Sequence, residues 1–144
     1  RKELAALQRG AEAPFFPRVY DWGRDYIIRE FAQGTPLNRY LRENAFTKDI
    51  ARQLVEMVET MRRLGFRRAD TRLSHIIIDP KGKLWIIDPV NTMKKSPSYP
   101  RKLLKGLIRR GVDDEFLEYV KKHYPDTYAR WERYLDRLLS SEKP

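Results

Sequence analysis

Two carboxylates frame the part of the chain best suited to chemistry. Asp70 lies in the polar, Arg-rich loop from Phe66 to His75, a stretch without any hydrophobic period. Asp88 closes the second of two short apolar segments, His75 to Asp79 and Leu84 to Asp88, that follow the loop. Between them stands Pro80-Lys81-Gly82-Lys83, which has the composition of a hairpin turn. A hairpin returns its ends to one side, so acids at the mouths of the loop and the hairpin can meet around one reacting group. One can then serve as a base while the other holds a divalent cation. Phosphoryl transfer asks for both, and for a cation such as Arg72 to offset charge on the transferred group. By residue type alone, loop aspartates are more often caps and turn formers. The elements around them decide between these readings.

Residues 1–9 read as the end of an amphipathic helix, with Glu3, Leu4 and Leu7 at helical spacing, stopped by Gly10 and Pro14. The chain opens inside this helix, as a piece of something longer would. Phe15 to Tyr20 predicts a short edge strand, because Pro17 cannot donate to a ladder. Trp22 to Asp25 supplies turn residues, and Tyr26 to Phe31 predicts the second strand of a hairpin. Gln33-Gly34-Thr35-Pro36 breaks it, and Leu37 to Glu43 predicts a short helix. The clearest helix follows, with Thr47 as N-cap and Asp49 in its first turn. Ile50, Leu54, Val58, Met61 and Leu64 form its apolar stripe, Val55 and Met57 widen it, and Gly65 ends it. Val90 to Pro100 is loop-like. Three more helices are predicted over Arg101 to Arg110, Asp113 to His123 and Tyr128 to Ser140, with Asp113 and Asp126 where N-caps are wanted. Tyr124, Tyr128, Trp131 and Tyr134 fall at helical steps and read as packing residues. The whole is an α+β arrangement with segregated elements.

Composition sets the outer limits. The 144 residues suit one compact domain, and 41% hydrophobic with 12% aromatic residues can bury a core. No apolar run is long enough to cross a bilayer, and no secretory signal is visible. There is no cysteine, which excludes disulfides, metal-thiolate sites and a cysteine nucleophile. The expectation is a cytoplasmic protein without a membrane partner. Thirty Lys and Arg against twenty Asp and Glu give a net charge of +10, which would attract phosphate-rich partners. Lys94-Lys95, Arg101-Lys102, Lys105 and Arg109-Arg110 concentrate that charge. They fit either a grip on nucleic acid or another polyanion, or a solvated helix face.

The order of loop, hairpin and second acid resembles the protein-kinase superfamily. Its members carry H-R-D-L-x-x-x-N ahead of a hairpin and a metal-binding D-F-G after it. Within that resemblance Asp70 matches the catalytic-loop Asp, Asp88 matches the metal-motif Asp, and Arg72 stands in the place of the loop's usual Lys. Tyr26 to Leu37 resembles the strand, hinge and helix that hold adenine. The backbone around Glu30 and Ala32 would then hydrogen-bond the base, and Ile77 would pack beneath it. Glu3 falls where the family places the helix Glu that pairs with the ATP-contacting Lys. The resemblance runs from residue 1 to about residue 91 and points to minimal RIO-type kinases and compact bacterial serine/threonine-kinase-like proteins. It implies residues 1–36 as a remnant of an N-terminal lobe and residues 37–144 as a helical C-terminal lobe. It also implies ATP and Mg²⁺ as ligands and a hydroxyl-bearing acceptor.

The departures bear on activity. His75 stands where the loop's metal-binding Asn belongs, and imidazole is a poor ligand for hard Mg²⁺. Arg68 replaces the loop His, Pro89-Val90 follows Asp88, and no A-P-E segment appears. Neither a Gly-rich loop nor a lysine in a V-A-I-K strand precedes Glu3. Three readings follow: an ATP-dependent serine/threonine-type phosphotransferase, truncated or degenerate in this chain; a pseudokinase acting as a regulatory module; or a basic RNA- or ribosome-associated domain on a kinase-like scaffold.

Overall fold

The computed structural model describes residue 15 and residues 19–22, 27–29, 33–64, 71–87 and 99–142, with only the backbone of 19–22, 27–29 and 142. Strands β1 (Val19–Trp22) and β2 (Ile27–Arg29) pair antiparallel. A second, three-stranded sheet is built from β3 (Thr35–Pro36), β4 (Ile76–Ile78) and β5 (Leu84–Ile86) in the order β3-β4-β5, all antiparallel. Helices α1 (Leu37–Glu43) and α2 (Lys48–Arg63) precede the β4–β5 hairpin. Helices α3 (Arg101–Arg109), α4 (Asp113–His123) and α5 (Pro125–Glu142) follow it. The arrangement is α+β, mostly helical. No helix among the described residues is long and apolar enough to cross a membrane.

Helix α2 is the axis of the core. Thr47 caps it, its hydroxyl accepting from the Ile50 amide at 3.1 Å, and Asp49 sits in the positive first turn. Ile50, Leu54, Val55, Val58 and Met61 are buried, as their spacing predicts, and Leu64 is half-buried. Ala51 and Met57 are buried too, so the covered face is wider than one stripe and meets partners on several sides. Phe116 of α4 lies edge-on to Phe46 and stacks on Trp131 of α5, with centroids 6.4 and 6.2 Å apart. Tyr99 stacks on Tyr134 at 4.7 Å, and Tyr124 and Tyr128 pack against the core. Glu59 reaches from α2 to α5, accepting from the Thr127 hydroxyl at 3.0 Å and pairing with Arg130.

The elements depart from the expected boundaries in several places, the first being Phe15, expected to open the first strand but lying in a turn four residues ahead of β1. Trp22, assigned to the turn, extends β1 and pairs with Ile27, as aromatic residues favour a pleated surface. Gln33 to Pro36 is not wholly a break: Thr35 and Pro36 form β3 against Ile78 and Ile77. The caps shift by one or more residues. Asp113 is the first residue of α4 and is buried, with Val112 as its cap. Helix α5 begins at Pro125, ahead of Asp126, because proline's fixed φ suits a first helical turn that needs no amide donor.

Candidate functional site

The loop that should carry the chemistry ends in a tight 3₁₀ turn, Leu73–His75. The His75 amide donates to the Arg72 carbonyl at 3.0 Å, which closes the turn. Leu73, only 3% exposed, anchors it, and both α1 and α3 pack against it. Helix α3 comes close because its facing residue is Gly106. A Cβ there would stand 2.8 Å from Leu73 Cγ, closer than real carbon contacts allow. Thr71, just before Arg72, is also buried, so the turn is held on both sides.

The hairpin binds this turn to its own far end. Ile76 pairs with Ile86 and Ile78 with Leu84, and the Ile87 amide donates to the His75 carbonyl at 3.1 Å. Residues 75 and 87 therefore share one edge. The turn between the strands is fixed by Asp79, whose Oδ1 accepts from the Lys81 and Lys83 amides, both at 2.9 Å. Its Oδ2 accepts from the Trp85 indole at 3.0 Å, and Lys83 Nζ lies 3.7 Å over the Trp85 ring. Partial burial works to raise the Asp79 pKa. The indole and the two amides outweigh it and hold the carboxyl below its usual range. Gln53 locks the hairpin to α2. Its amide donates to Gly82 O at 2.8 Å, and its Oε1 accepts from the buried Leu84 amide at 2.9 Å.

Of the residues singled out in the sequence, Arg72, His75 and Ile77 are described. Asp70, Asp88, Glu3, Glu30 and Ala32, with Lys94 and Lys95, lie outside the described residues. Arg72 is exposed and His75 half-buried. Ile77 is buried at 6% yet stands apart from the core that takes Ile76 and Ile78, as strand alternation requires. On that other face it meets Gly34: a Cβ on Gly34 would come 2.7 Å from Ile77 Cγ2 and 2.1 Å from the Ile78 carbonyl oxygen. Only glycine lets the chain cross β4 so closely. No group of three or more His, Asp or Glu among the described residues could hold a metal ion.

One feature was not legible in the sequence. Arg72 and helix α3 enclose an open cavity of about 500 Å³. Its walls carry Arg72, Arg101, Lys102, Lys105, Arg109 and Arg110, and no acidic side chain among the described residues lines it. The sequence shows the basic run and Arg72 separately; the contact between Gly106 and Leu73 brings them together. Asn38 of α1 also lines the cavity, with its Oδ1 sealed from solvent and unpaired among the described residues.

The chain is 27% identical over 88 residues to a Bacillus subtilis (strain 168) protein named "Putative serine/threonine-protein kinase YrzF". The matched stretch covers 60% of this chain and 41% of that protein, so the chain spans less than half of its relative's length. No protein-family model matches the chain.

Proposed function

We propose that this chain is the C-terminal part of a kinase-like phosphotransferase that moves the γ-phosphoryl group of ATP to a hydroxyl, with serine or threonine of a protein as the acceptor class. The observation that carries the reading is the bond from the Ile87 amide to the His75 carbonyl. It joins the end of the loop that follows Asp70 to the end of the strand that precedes Asp88. The likeness to a bacterial protein named as a serine/threonine kinase supports the same reading. So does the Gly34–Ile77 contact, on the sheet face where the resemblance puts the base. In this reading residues 1–36 belong to an N-terminal lobe and residues 37–144 to a C-terminal lobe.

The donor set fits Mg²⁺ only in part. Asp88 offers the oxygen that a hard cation prefers, whereas His75 offers nitrogen. Asp88 is therefore the assigned ligand, and His75 keeps a positional role through its backbone. Bound Mg²⁺ would offset charge on the phosphate oxygens. Asp70 orients the acceptor and takes its proton as the acceptor oxygen bonds to the γ-phosphorus. The bond from that phosphorus to the bridging oxygen breaks, and ADP leaves. Arg72 offsets charge on the moving group.

A thermal-shift titration with ATP, with and without Mg²⁺ or Mn²⁺, tests the nucleotide site. Ligand at a hundredfold excess over its dissociation constant should stabilise the fold by about 2.7 kcal/mol, and Asp88→Ala should abolish the metal-dependent part. Asp70→Ala should keep the shift and lose transfer of radiolabelled phosphate. Transfer by Asp70→Ala at the parent rate would remove Asp70 from the reaction. His75 at the metal-ligand position favours a pseudokinase as the second reading: nucleotide binding indifferent to metal, without transfer, would select it.

A further inference from the structure

The cavity beside Arg72 is more specific than a charged surface. Its cations come from two separate segments, the loop of the proposed transfer site and helix α3, held together through Gly106 and Leu73. Arg101, Lys105 and Arg109 recur every four residues along one face of α3, about 6 Å apart at 1.5 Å rise per residue. In an extended peptide, side chains on one face recur at nearly the same interval, about 6.6 Å. A strand of alternating acidic residues laid along α3 would therefore meet one cation per carboxylate. Among the described residues that line it there is no aromatic ring, whereas sites for single-stranded nucleic acid combine a basic groove with rings on which bases stack. Charge complementarity and spacing together favour a peptide.

We propose that the cleft between Arg72 and helix α3 holds an acidic, extended segment of a protein acceptor, with carboxylates or phosphoryl groups at alternate positions flanking the hydroxyl to be modified. Its role as an acceptor site rests on the phosphotransferase reading; its recognition of acidic peptide does not. Arg72, two residues after Asp70 in the chain, lines the cleft. The remaining cations select the flank of the substrate. Because Arg72, Arg101 and Arg109 are exposed and Lys102, Lys105 and Arg110 only half-buried, the attraction is screened by salt, with a Debye length of about 10 Å at 0.1 M.

The test is equilibrium binding by fluorescence anisotropy, without nucleotide. The probes are a labelled peptide carrying one Ser followed by alternating Glu and Gly, its Gln counterpart, and a labelled oligouridine. The Glu peptide should bind several-fold more tightly than the Gln peptide at low salt, since Arg101 and Arg109 are exposed, Lys105 is half-buried, and exposed ion pairs are individually weak. The triple variant R101E/K105E/R109E should lose that preference. Arg101 and Arg109 are exposed, and a glutamate at position 101 suits the first turn of a helix, so the fold should persist. Should circular dichroism show the triple variant unfolded, R101Q and R109Q singly should each weaken the Glu peptide several-fold. Equal binding of the Glu and Gln peptides, or unchanged binding by the variants, would overturn the proposal. Tighter binding of oligouridine than of the Glu peptide would overturn it in favour of nucleic acid. A nucleotide-induced thermal shift without acidic-peptide binding sinks the cleft alone. Acidic-peptide binding without any nucleotide shift sinks the phosphotransferase reading alone.

Discussion

Asp79 shows how one side chain can set the path of the chain toward a site. Three donors converge on its carboxylate, from the Lys81 and Lys83 amides and the Trp85 indole, and they fix the turn that returns β5 to the loop. Asn at this position keeps the shape but offers only one acceptor oxygen, so Asp79→Asn should cost about 1 kcal/mol at neutral pH. The sign of the pH dependence follows from the depressed pKa. The unfolded chain binds its proton near 3.8 and the folded chain only below that. The stabilisation is therefore complete above that value and is lost as pH falls through the lower, folded-state pKa. Melting temperatures of parent and variant across acidic pH should converge below the ordinary carboxylate range. A gap that stays constant with pH would mean that the ionised form is not what the donors select.

Helix α3 raises the corresponding question at the scale of an element. Gly106 is a poor helix former, and alanine there would by propensity alone stabilise the helix by about 1 kcal/mol. The new methyl, however, would stand 2.8 Å from Leu73 Cγ, in a branched, buried side chain with no free end to move aside. Overpacking of this kind costs about 1–3 kcal/mol, so Gly106→Ala should lower the denaturant midpoint. A raised midpoint would show that the turn gives way. The elements themselves were largely legible. Thr47 with Asp49 marks the start of α2, and α4 runs from Asp113 to His123 as its period says. Strand β3 was not, because two residues ending in proline carry no alternation and pair only once β4 lies beside them. The basic cleft was not legible either. Arg72 and Arg101 are distant in sequence, and a glycine within a helical run does not announce which side chain it admits.

At the scale of the molecule, α2, α4 and α5 share one core through Phe116 and Trp131. Trp131 is 2% exposed, and its replacement by alanine should cost about 3–5 kcal/mol, a large part of the 5–15 kcal/mol typical of a domain. Trp131→Ala should therefore melt far below the parent in a single transition. Two separated transitions by calorimetry would show that the hairpin and the last helices do not share one cooperative unit. The three-stranded sheet has a further consequence, for life in a crowded solution. Its β3 margin is two residues long and ends in Pro36, which has no amide hydrogen to offer. Along the β5 margin the Ile86 amide is already taken by the Phe15 carbonyl at 2.8 Å. Neither margin presents a ladder of open donors, so the isoleucine-rich hairpin at its centre is a poor template for strand-to-strand aggregation.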